Sequence, residues 1–443
     1  MKEIIELLEN KKLNDIKAIL IDMNDFDIAE ILNEIEDKYL VSLFRLLNKD
    51  QAANVFSYLD IDLQQLLITK LSDIEQVNII NNLYSDDAAD LLDELPSNIV
   101  KKILNKVDKQ TRNDINSLLK YPDNSAGSIM TVELLDLKND ATVSQALTRI
   151  RKVAEEIESI DNAFVITKDR ILLGSISLKE IILSDPKKKI KNIMDDNIIS
   201  VNTLTDQEEV ASIMQDYDLT SIPVTDSENR LVGIITIDDI LDILEEETTE
   251  DIEKMAAIVP TEKPYLKLTI WDIYKSRIPW LLLLMISATF TGKIIEHYEE
   301  SLATYVILTS FIPMLMNTGG NAGGQSSVTI IRGLSLEEIE FKDIFKIIFK
   351  EGRVSILVGL TLAIVNFLKL ILLDKISITV SLVVSLTLIT TVILAEIIGA
   401  ILPMLAKKMK LDPAVMASPF ITTIVDAVSL ITYFKIATML LGI

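Results

Sequence analysis

The sequence predicts a mainly α protein: a helical-repeat N-terminal domain, a pair of α/β domains, a long connecting helix and a five-helix α transmembrane domain. Three observations support this fold class. Apolar residues repeat every 12 positions early in the chain, short β/α units follow, and long apolar stretches fill the last third. The predicted domain boundaries are 1–127 for the repeat domain, 128–190 and 191–244 for the two α/β domains, 245–270 for the connecting helix and 271–443 for the transmembrane domain.

The N-terminal repeat consists of apolar pairs that recur every 12 residues, each followed by one further apolar residue at a constant offset. Each unit offers a single short apolar stripe, so neighbouring units must stack to bury it. The repeat therefore predicts a small helical solenoid. The pairs are Ile31-Leu32, Leu43-Phe44, Val55-Phe56, Leu67-Ile68, Ile79-Ile80, Leu91-Leu92 and Ile103-Leu104.

From Ile129 the pattern changes to two β/α units separated by amphipathic helices. A continuous helical pattern with a strongly acidic face follows at 239–258, and the prolines at 260 and 264 end it. This helix leads directly into the apolar part of the chain. The predicted strands lie at 163–166, 172–176, 222–225 and 232–235.

The last third contains apolar stretches that each supply the roughly 20 residues needed to cross the hydrocarbon of a bilayer. If the N-terminal domains are cytosolic, most lysines and arginines of this region also face the cytosol, as the positive-inside rule requires. We therefore predict a multi-pass protein of the cell (inner) membrane with its C-terminus outside. The five predicted spans are 278–296, 302–331, 354–373, 376–406 and 414–442.

Charge is distributed unevenly along the chain, since residues 1–270 carry 53 acidic and 29 basic side chains and the rest is nearly neutral. Such an acidic block repels nucleic acid and anionic lipid and attracts cations. There is no cysteine and one histidine, His297, which excludes thiolate and zinc-cluster chemistry. No phosphate-cradling loop is present either, so we predict that the protein is not an enzyme.

Asp426 is the strongest functional candidate because it lies in the middle of the fifth predicted span. A carboxylate in that position is costly unless it is hydrated, paired or bound to an ion. Lys435 lies nine positions away and points to the opposite side of the same helix. The pattern favours a pore role for Asp426, and a structural ion pair is the alternative.

A polar stripe of Asn317, Asn321 and Gln325 runs along the second predicted span at four-residue spacing. These amides need water, a neighbour or an ion within the membrane. Two small-xxx-small patterns of glycine in the same span permit close helix packing. Glu396 is a second intramembrane carboxylate, and its role stays open between the pore, a partner subunit and an ion pair.

Carboxylates also cluster in the N-terminal domains at helical spacing. Asp86 with Asp90, and Asp239 with Asp242, fall on common helix faces. Such faces repel one another unless a cation neutralises them, which makes metal sensing a hypothesis. The alternative is an ordinary solvated acidic surface.

Several strings in the chain are similar to those of the MgtE family of magnesium channels. The membrane strings PMLMNTGGNAGGQSSVTIIRGL and LDPAVMASPFITTIVDAVSLITYF resemble its transmembrane domain. YSDDAADLLDELP resembles its N-terminal domain, SIPVTDSENRLVGIITIDDILDILEEE its second CBS domain, and EEETTEDIEKMAAI its plug helix. The resemblance extends over nearly the whole chain.

The resemblance implies a homodimer with a Mg²⁺ pore between the subunits, lined by the second and fifth spans, with Asp426 as the pore carboxylate. Ser418 and Thr422 are further pore candidates beside the amide stripe. Cytosolic Mg²⁺ would bridge the acidic domains and hold the plug helix against a closed pore, giving negative feedback. The implied sensing residues are Asp86, Asp90, Glu208, Asp216, Asp218, Asp239, Asp242, Glu247 and Glu250.

The CBS domains imply a second candidate ligand, ATP or another adenosine nucleotide. Thr236 and Asp239 match the ribose-contacting T-x-x-D pattern of such domains. Two other functions remain as alternatives to a magnesium channel. One is a membrane-anchored magnesium or nucleotide receptor that transports nothing, and the other is a channel for divalent cations such as cobalt or manganese.

Overall fold

The computed structural model describes residues 2–10, 12–261, 265–416 and 418–442. The chain divides into two compact units, Met1–Leu244 and Glu245–Ile443. The first unit contains a helical array followed by two small α/β domains, and the second is almost entirely helical. The mainly α fold class predicted from the sequence is confirmed.

The helical array confirms the predicted repeat. Each unit of the repeat is one short helix, and from α3 onward the helices begin 12 residues apart. The apolar pairs are buried against one another, with Val55 and Phe56 fully inaccessible to solvent. The helices are α1 (Lys2–Glu9), α2 (Leu13–Ile21), α3 (Asp25–Glu34), α4 (Asp37–Phe44), α5 (Lys49–Ser57), α6 (Ile61–Lys70), α7 (Asp73–Ile80), α8 (Ser85–Asp93), α9 (Ser97–Leu104) and α10 (Lys109–Leu118).

Side-chain caps explain why these helices stop and restart so regularly. Ser72 and Glu75 form a reciprocal capping box at α7, and Asn48 and Asp108 accept backbone N–H bonds at the starts of α5 and α10. A helix of eight to ten residues is marginal by itself. Stacking of the apolar stripes therefore supplies the stability that each helix lacks.

The two α/β domains each form a three-stranded sheet with one parallel and one antiparallel pair. All four predicted strands are confirmed, and two short strands, β1 and β4, had not been predicted. Both are only two or three residues long, too short for an alternating pattern. The elements are β1 (Asp136–Lys138), α11 (Val143–Val153), β2 (Asn162–Ile166), β3 (Leu172–Ser177), α12 (Leu178–Leu183), β4 (Val201–Asn202), α13 (Gln207–Asp216), β5 (Ser221–Thr225) and β6 (Leu231–Thr236).

The connecting helix α14 (Ile237–Met255) follows β6 without a loop. Asp238 and Asp239 lie in its first turn, where the positive end of the helix dipole favours negative charge. The helix ends at Met255, and Ala257 adopts a positive φ of 55° just beyond it. The observed helix therefore ends three residues before the end of the helical pattern at 239–258.

The second unit holds the apolar helices. In the described residues, four segments are long and apolar enough to span a membrane: Ile270–His297, Phe341–Leu372, Ile378–Lys408 and Pro413–Leu441. A fifth helix, α17, packs among them but is too polar to meet the same measure, so the count of five spans stays a prediction. The helices are α15 (Ile270–His297), α16 (Glu299–Thr304), α17 (Ile312–Ser335), α18 (Ile344–Leu372), α19 (Ile378–Lys408) and α20 (Ser418–Leu441).

Glycines let α17 approach α19 and α20 at backbone distance, which confirms the predicted close packing. A Cβ atom on Gly399 would lie 2.2 Å from the carbonyl oxygen of Gly323. One on Gly320 would lie 2.8 Å from the Thr422 methyl group. Neither position therefore accommodates a larger residue without displacing the neighbouring helix.

Candidate functional site

Three carboxylates from distant parts of the sequence meet in the first unit. Asp86 lies in the first turn of α8, Glu158 follows α11, and Asp239 lies in the first turn of α14. One carboxylate oxygen of each residue lies within 4.8 Å of the others, a spacing suited to a common cation. We call these three residues the acidic cluster.

Burial makes the acidic cluster electrostatically costly. Asp86 is 8% exposed, and burial, followed by the nearby Glu158 carboxylate, raises its pKa well above the ordinary value. Burial and the Asp239 charge raise the pKa of Glu158 to about 7. The pKa of Asp239 rises to about 6, chiefly through burial. Protons or a cation that neutralise the cluster therefore stabilise it.

Hydrogen bonds hold the cluster in place. The Thr236 hydroxyl lies 2.7 Å from Asp239 Oδ2 and 2.9 Å from Glu158 Oε1, and it can donate to only one of them at a time. The second oxygen of Glu158, Oε2, is buried and has no hydrogen-bond partner among the described residues. A buried carboxylate oxygen without a donor fits a cation-binding role.

Glu133 fixes the position of the helix turn that carries Asp86. Its carboxylate accepts bonds from the Ser85 backbone N–H and hydroxyl at 3.3 and 2.7 Å, and from the Thr131 hydroxyl at 2.8 Å. Tyr84 is the N-cap residue of α8, and its side chain accepts no bond from the backbone N–H groups of the first turn. Glu133 accepts such a bond in its place. This bond fixes the first turn of α8, which carries Asp86.

The structure brings together two of the nine predicted sensing residues, Asp86 and Asp239, with Glu158 as a third partner. Sequence reasoning missed Glu158 because it lies in a short irregular segment rather than on a periodic helix face. The acidic run at 155–158 was the available signal. Five other candidates are exposed: Asp90, Glu208, Asp216, Asp218 and Asp242.

The remaining two sensing candidates, Glu247 and Glu250, are half-buried on α14. Near the end of this helix, Lys254 forms an ion pair with Glu250 and a second one, at 2.6 Å, with Asp412 in the segment before α20. Burial and the charge of Asp412 raise the pKa of Asp251 to about 6. The Lys254–Asp412 ion pair therefore joins the end of the connecting helix to the segment before α20.

Within the membrane unit, α17 presents two different faces. Its glycine face is buried against α19 and α20, whereas Asn317, Asn321 and Gln325 are exposed on the other face. The Asn321 amide donates a bond of 3.5 Å to the Asn317 side-chain oxygen. Exposed amides among apolar helices need an aqueous path or a partner subunit.

The other pore candidates lie on α20. Asp426 is half-buried, and the Thr422 hydroxyl donates to the Pro419 carbonyl oxygen at 2.9 Å. Ser418 begins the helix, but its side chain lies outside the described residues. Of the two predicted nucleotide contacts, Asp239 belongs to the acidic cluster, and the Thr236 hydroxyl lies within hydrogen-bond distance of both Asp239 and Glu158.

Comparison with known proteins decides the family. The magnesium transporter MgtE of Bacillus subtilis is 34% identical over 439 residues, which cover 98% of this chain and 96% of that protein. The chain belongs to the MgtE family. Profiles agree: the MgtE "Divalent cation transporter" profile matches residues 312–436, the "MgtE intracellular N domain" profile 23–124, and the CBS domain profile 190–246.

Further similarities to MgtE proteins extend over the same regions. The magnesium transporter MgtE of Thermus thermophilus is 32% identical over 98% of this chain and 97% of its own length. Among solved structures, the cytosolic domain of the Mg²⁺ channel MgtE in complex with ATP matches with a TM-score of 0.52 and 33% identity. That match covers 54% of this chain and 97% of the solved chain. These relatives are named as transporters or channels, which agrees at the family level with a role outside catalysis.

Proposed function

We propose that this MgtE family member is a Mg²⁺ channel of the cell membrane that cytosolic Mg²⁺ closes. The acidic cluster is the observation that supports this gating. It joins the helical array, the first α/β domain and the start of α14 through carboxylates that repel each other when ionised. Bound Mg²⁺ stabilises the assembled arrangement, and its loss restores the repulsion.

Magnesium fits the donor set of the cluster. Mg²⁺ prefers oxygen ligands in an octahedron at about 2.1 Å, which places opposite ligands about 4.2 Å apart. The three carboxylate oxygens all lie within 4.8 Å of one another, so no pair exceeds this spacing by more than about 0.6 Å. Small side-chain rotations, or ligand water between the ion and one carboxylate, close the difference. Glu247, Glu250 and the five exposed sensing candidates would contribute secondary sites.

The connecting helix transmits the state of the cluster to the membrane unit. Asp239 lies in the first turn of α14, and Lys254 lies near its end, paired with Asp412. The segment of Asp412 leads into α20, which carries Asp426. Release of the first turn of α14 would therefore weaken a contact at the start of a proposed pore helix.

The pore itself lies between two copies of the chain in this proposal. Each subunit contributes Asp426, the exposed amide stripe of α17, Thr422 and Ser418. Magnesium sheds water reluctantly, so facing carboxylates and amides would hold a mostly hydrated ion through its water shell. The N-terminal unit is cytosolic and the C-terminus lies outside.

Two further candidates have specific support. The solved relative bound to ATP, at 33% identity, favours an adenosine nucleotide at the CBS pair, contacted by Thr236 and Asp239. The profile description "Divalent cation transporter" leaves room for cobalt or manganese as permeant ions. A receptor that transports nothing is disfavoured because a membrane anchor has no need for exposed amides or for Asp426.

Magnesium flux into proteoliposomes tests the proposal. Purified full-length protein is assayed at low and high Mg²⁺ on the cytosolic side, with Asp426→Ala, with Asp86→Asn combined with Asp239→Asn, and with Asp374→Asn as an exposed control. We expect flux that needs Asp426, that high Mg²⁺ suppresses, and that loses this suppression in the double variant. The absence of Mg²⁺ flux from the wild type at both concentrations would favour the receptor.

A further inference from the structure

A second group of polar side chains is buried where α17, α18 and α19 pack together. Ser326 of α17, Glu351 of α18 and Glu396 of α19 meet there. Glu396 is only 6% exposed, and its neighbours Ala395 and Val392 belong to an apolar cluster. None of the three residues lies on α20, the helix of Asp426.

One oxygen of the Glu396 carboxylate lacks, in the described part of the chain, the donor that a buried carboxylate oxygen requires. Its Oε2 atom is buried and has no hydrogen-bond partner among the described residues. The nearby carboxylate of Glu351 repels it when both groups are ionised. The basic residues nearest to Glu351 in sequence do not help, because Lys350 and Arg353 are exposed and Arg353 lies against the Phe349 ring. An unpaired buried charge of this kind is expensive.

The Ser326 hydroxyl lies between two oxygen acceptors from the neighbouring helices. Its hydroxyl oxygen lies 2.8 Å from Glu351 Oε2 and 3.0 Å from the backbone carbonyl oxygen of Glu396. The hydroxyl has one proton, and donation to the carbonyl leaves its lone pairs beside the Glu351 oxygen. The 2.8 Å distance is that of an ordinary O–H···O hydrogen bond, and it is also close to the roughly 2.9 Å between neighbouring ligands of octahedral Mg²⁺, so a bound ion would not have to move these two oxygens apart.

We propose that Ser326, Glu351 and Glu396 bind one divalent cation in each chain, at a site additional to Asp426. Two carboxylates and a divalent ion form a neutral complex, which an apolar environment tolerates. Carboxylate and hydroxyl oxygens suit Mg²⁺ or Mn²⁺ rather than softer metals. The bound ion links three membrane helices and so stabilises the bundle.

Electron paramagnetic resonance with Mn²⁺ tests this site, because free and bound Mn²⁺ give different signals. Bound ions per chain are counted by titration of full-length protein in detergent. We expect Glu396→Gln to bind one Mn²⁺ fewer than the wild type, and Glu351→Gln with Glu396→Gln to lose no more than that one. Glu338→Gln, an exposed control between α17 and α18, keeps the wild-type number.

A second variant distinguishes loss of the binding site from misfolding of the protein. Ser326→Ala retains both carboxylates and should weaken Mn²⁺ binding at this site about tenfold, in line with loss of a supporting ligand. Equal Mn²⁺ counts in the wild type and Glu396→Gln would overturn the proposal. Asp426 is unchanged in all these variants. The Mg²⁺ flux assay with Asp426→Ala therefore tests the proposed channel function independently of this site.

Discussion

Glu158 offers the sharpest test of the acidic cluster, since its pKa is about 7 against an ordinary 4.5. Folding at pH 7.5 without Mg²⁺ therefore costs about 3 kcal/mol at this one group. Glu158→Gln removes that cost and weakens one bond from Thr236, worth about 1 kcal/mol. We expect a net gain of about 2 kcal/mol for the first unit.

Thermal unfolding of the full-length protein in detergent measures this gain. For a unit of this length, 2 kcal/mol corresponds to a Tm increase of about 4–8 °C in Mg²⁺-free buffer. Saturating Mg²⁺ should raise the wild-type Tm and raise that of Glu158→Gln much less, because the variant has lost one ligand. The exposed neighbour in Glu156→Gln is the matched control and should leave both values unchanged.

Two results together would refute this reasoning. If Glu158→Gln does not raise Tm without Mg²⁺, burial is not costly at this position. If the variant also keeps the full Mg²⁺-dependent shift, Glu158 is not part of the cation site. In that case Asp86 and Asp239 would have to bind the ion without it.

Three further predictions concern pH, helix packing and the end of α14. Because the raised carboxyl pKa values let the folded state bind more protons than the unfolded state, stability without Mg²⁺ should fall as pH rises from 5 to 8. This range is roughly the interval between the ordinary and the raised pKa values. In thermal unfolding scans, Asp239→Asn should make stability depend less on pH. Gly399→Ala should destabilise the membrane unit by about 1–3 kcal/mol. Gly352→Ala, which faces open space within α18, should not lower its Tm and should raise it slightly because Ala favours the helix over Gly. Lys254→Gln removes a partly exposed ion pair with Asp412 that is worth up to about 1 kcal/mol. If this pair stabilises the closed channel, Mg²⁺ flux at high Mg²⁺ should rise about fivefold in the variant. Unchanged flux would show that the pair does not hold the channel closed.

The periodic features of this fold were accessible from the sequence. The 12-residue repeat predicted one short helix per unit, and α3 to α10 follow it, because a stripe of apolar pairs can be buried only by stacking. The four longer strands and most membrane helices were likewise visible as alternating or continuous apolar patterns. The strings shared with MgtE proteins predicted the family, and the comparison confirmed it.

Other features depended on contacts between residues far apart in the chain. Glu158 joins Asp86 and Asp239 across more than 70 residues on each side, and no local pattern marks it as their partner. Glu396 was visible as an intramembrane carboxylate, but its neighbours Ser326 and Glu351 come from two other helices. Periodicity reports which face of an element is buried, whereas the identity of the group opposite that face is decided only when the elements pack together.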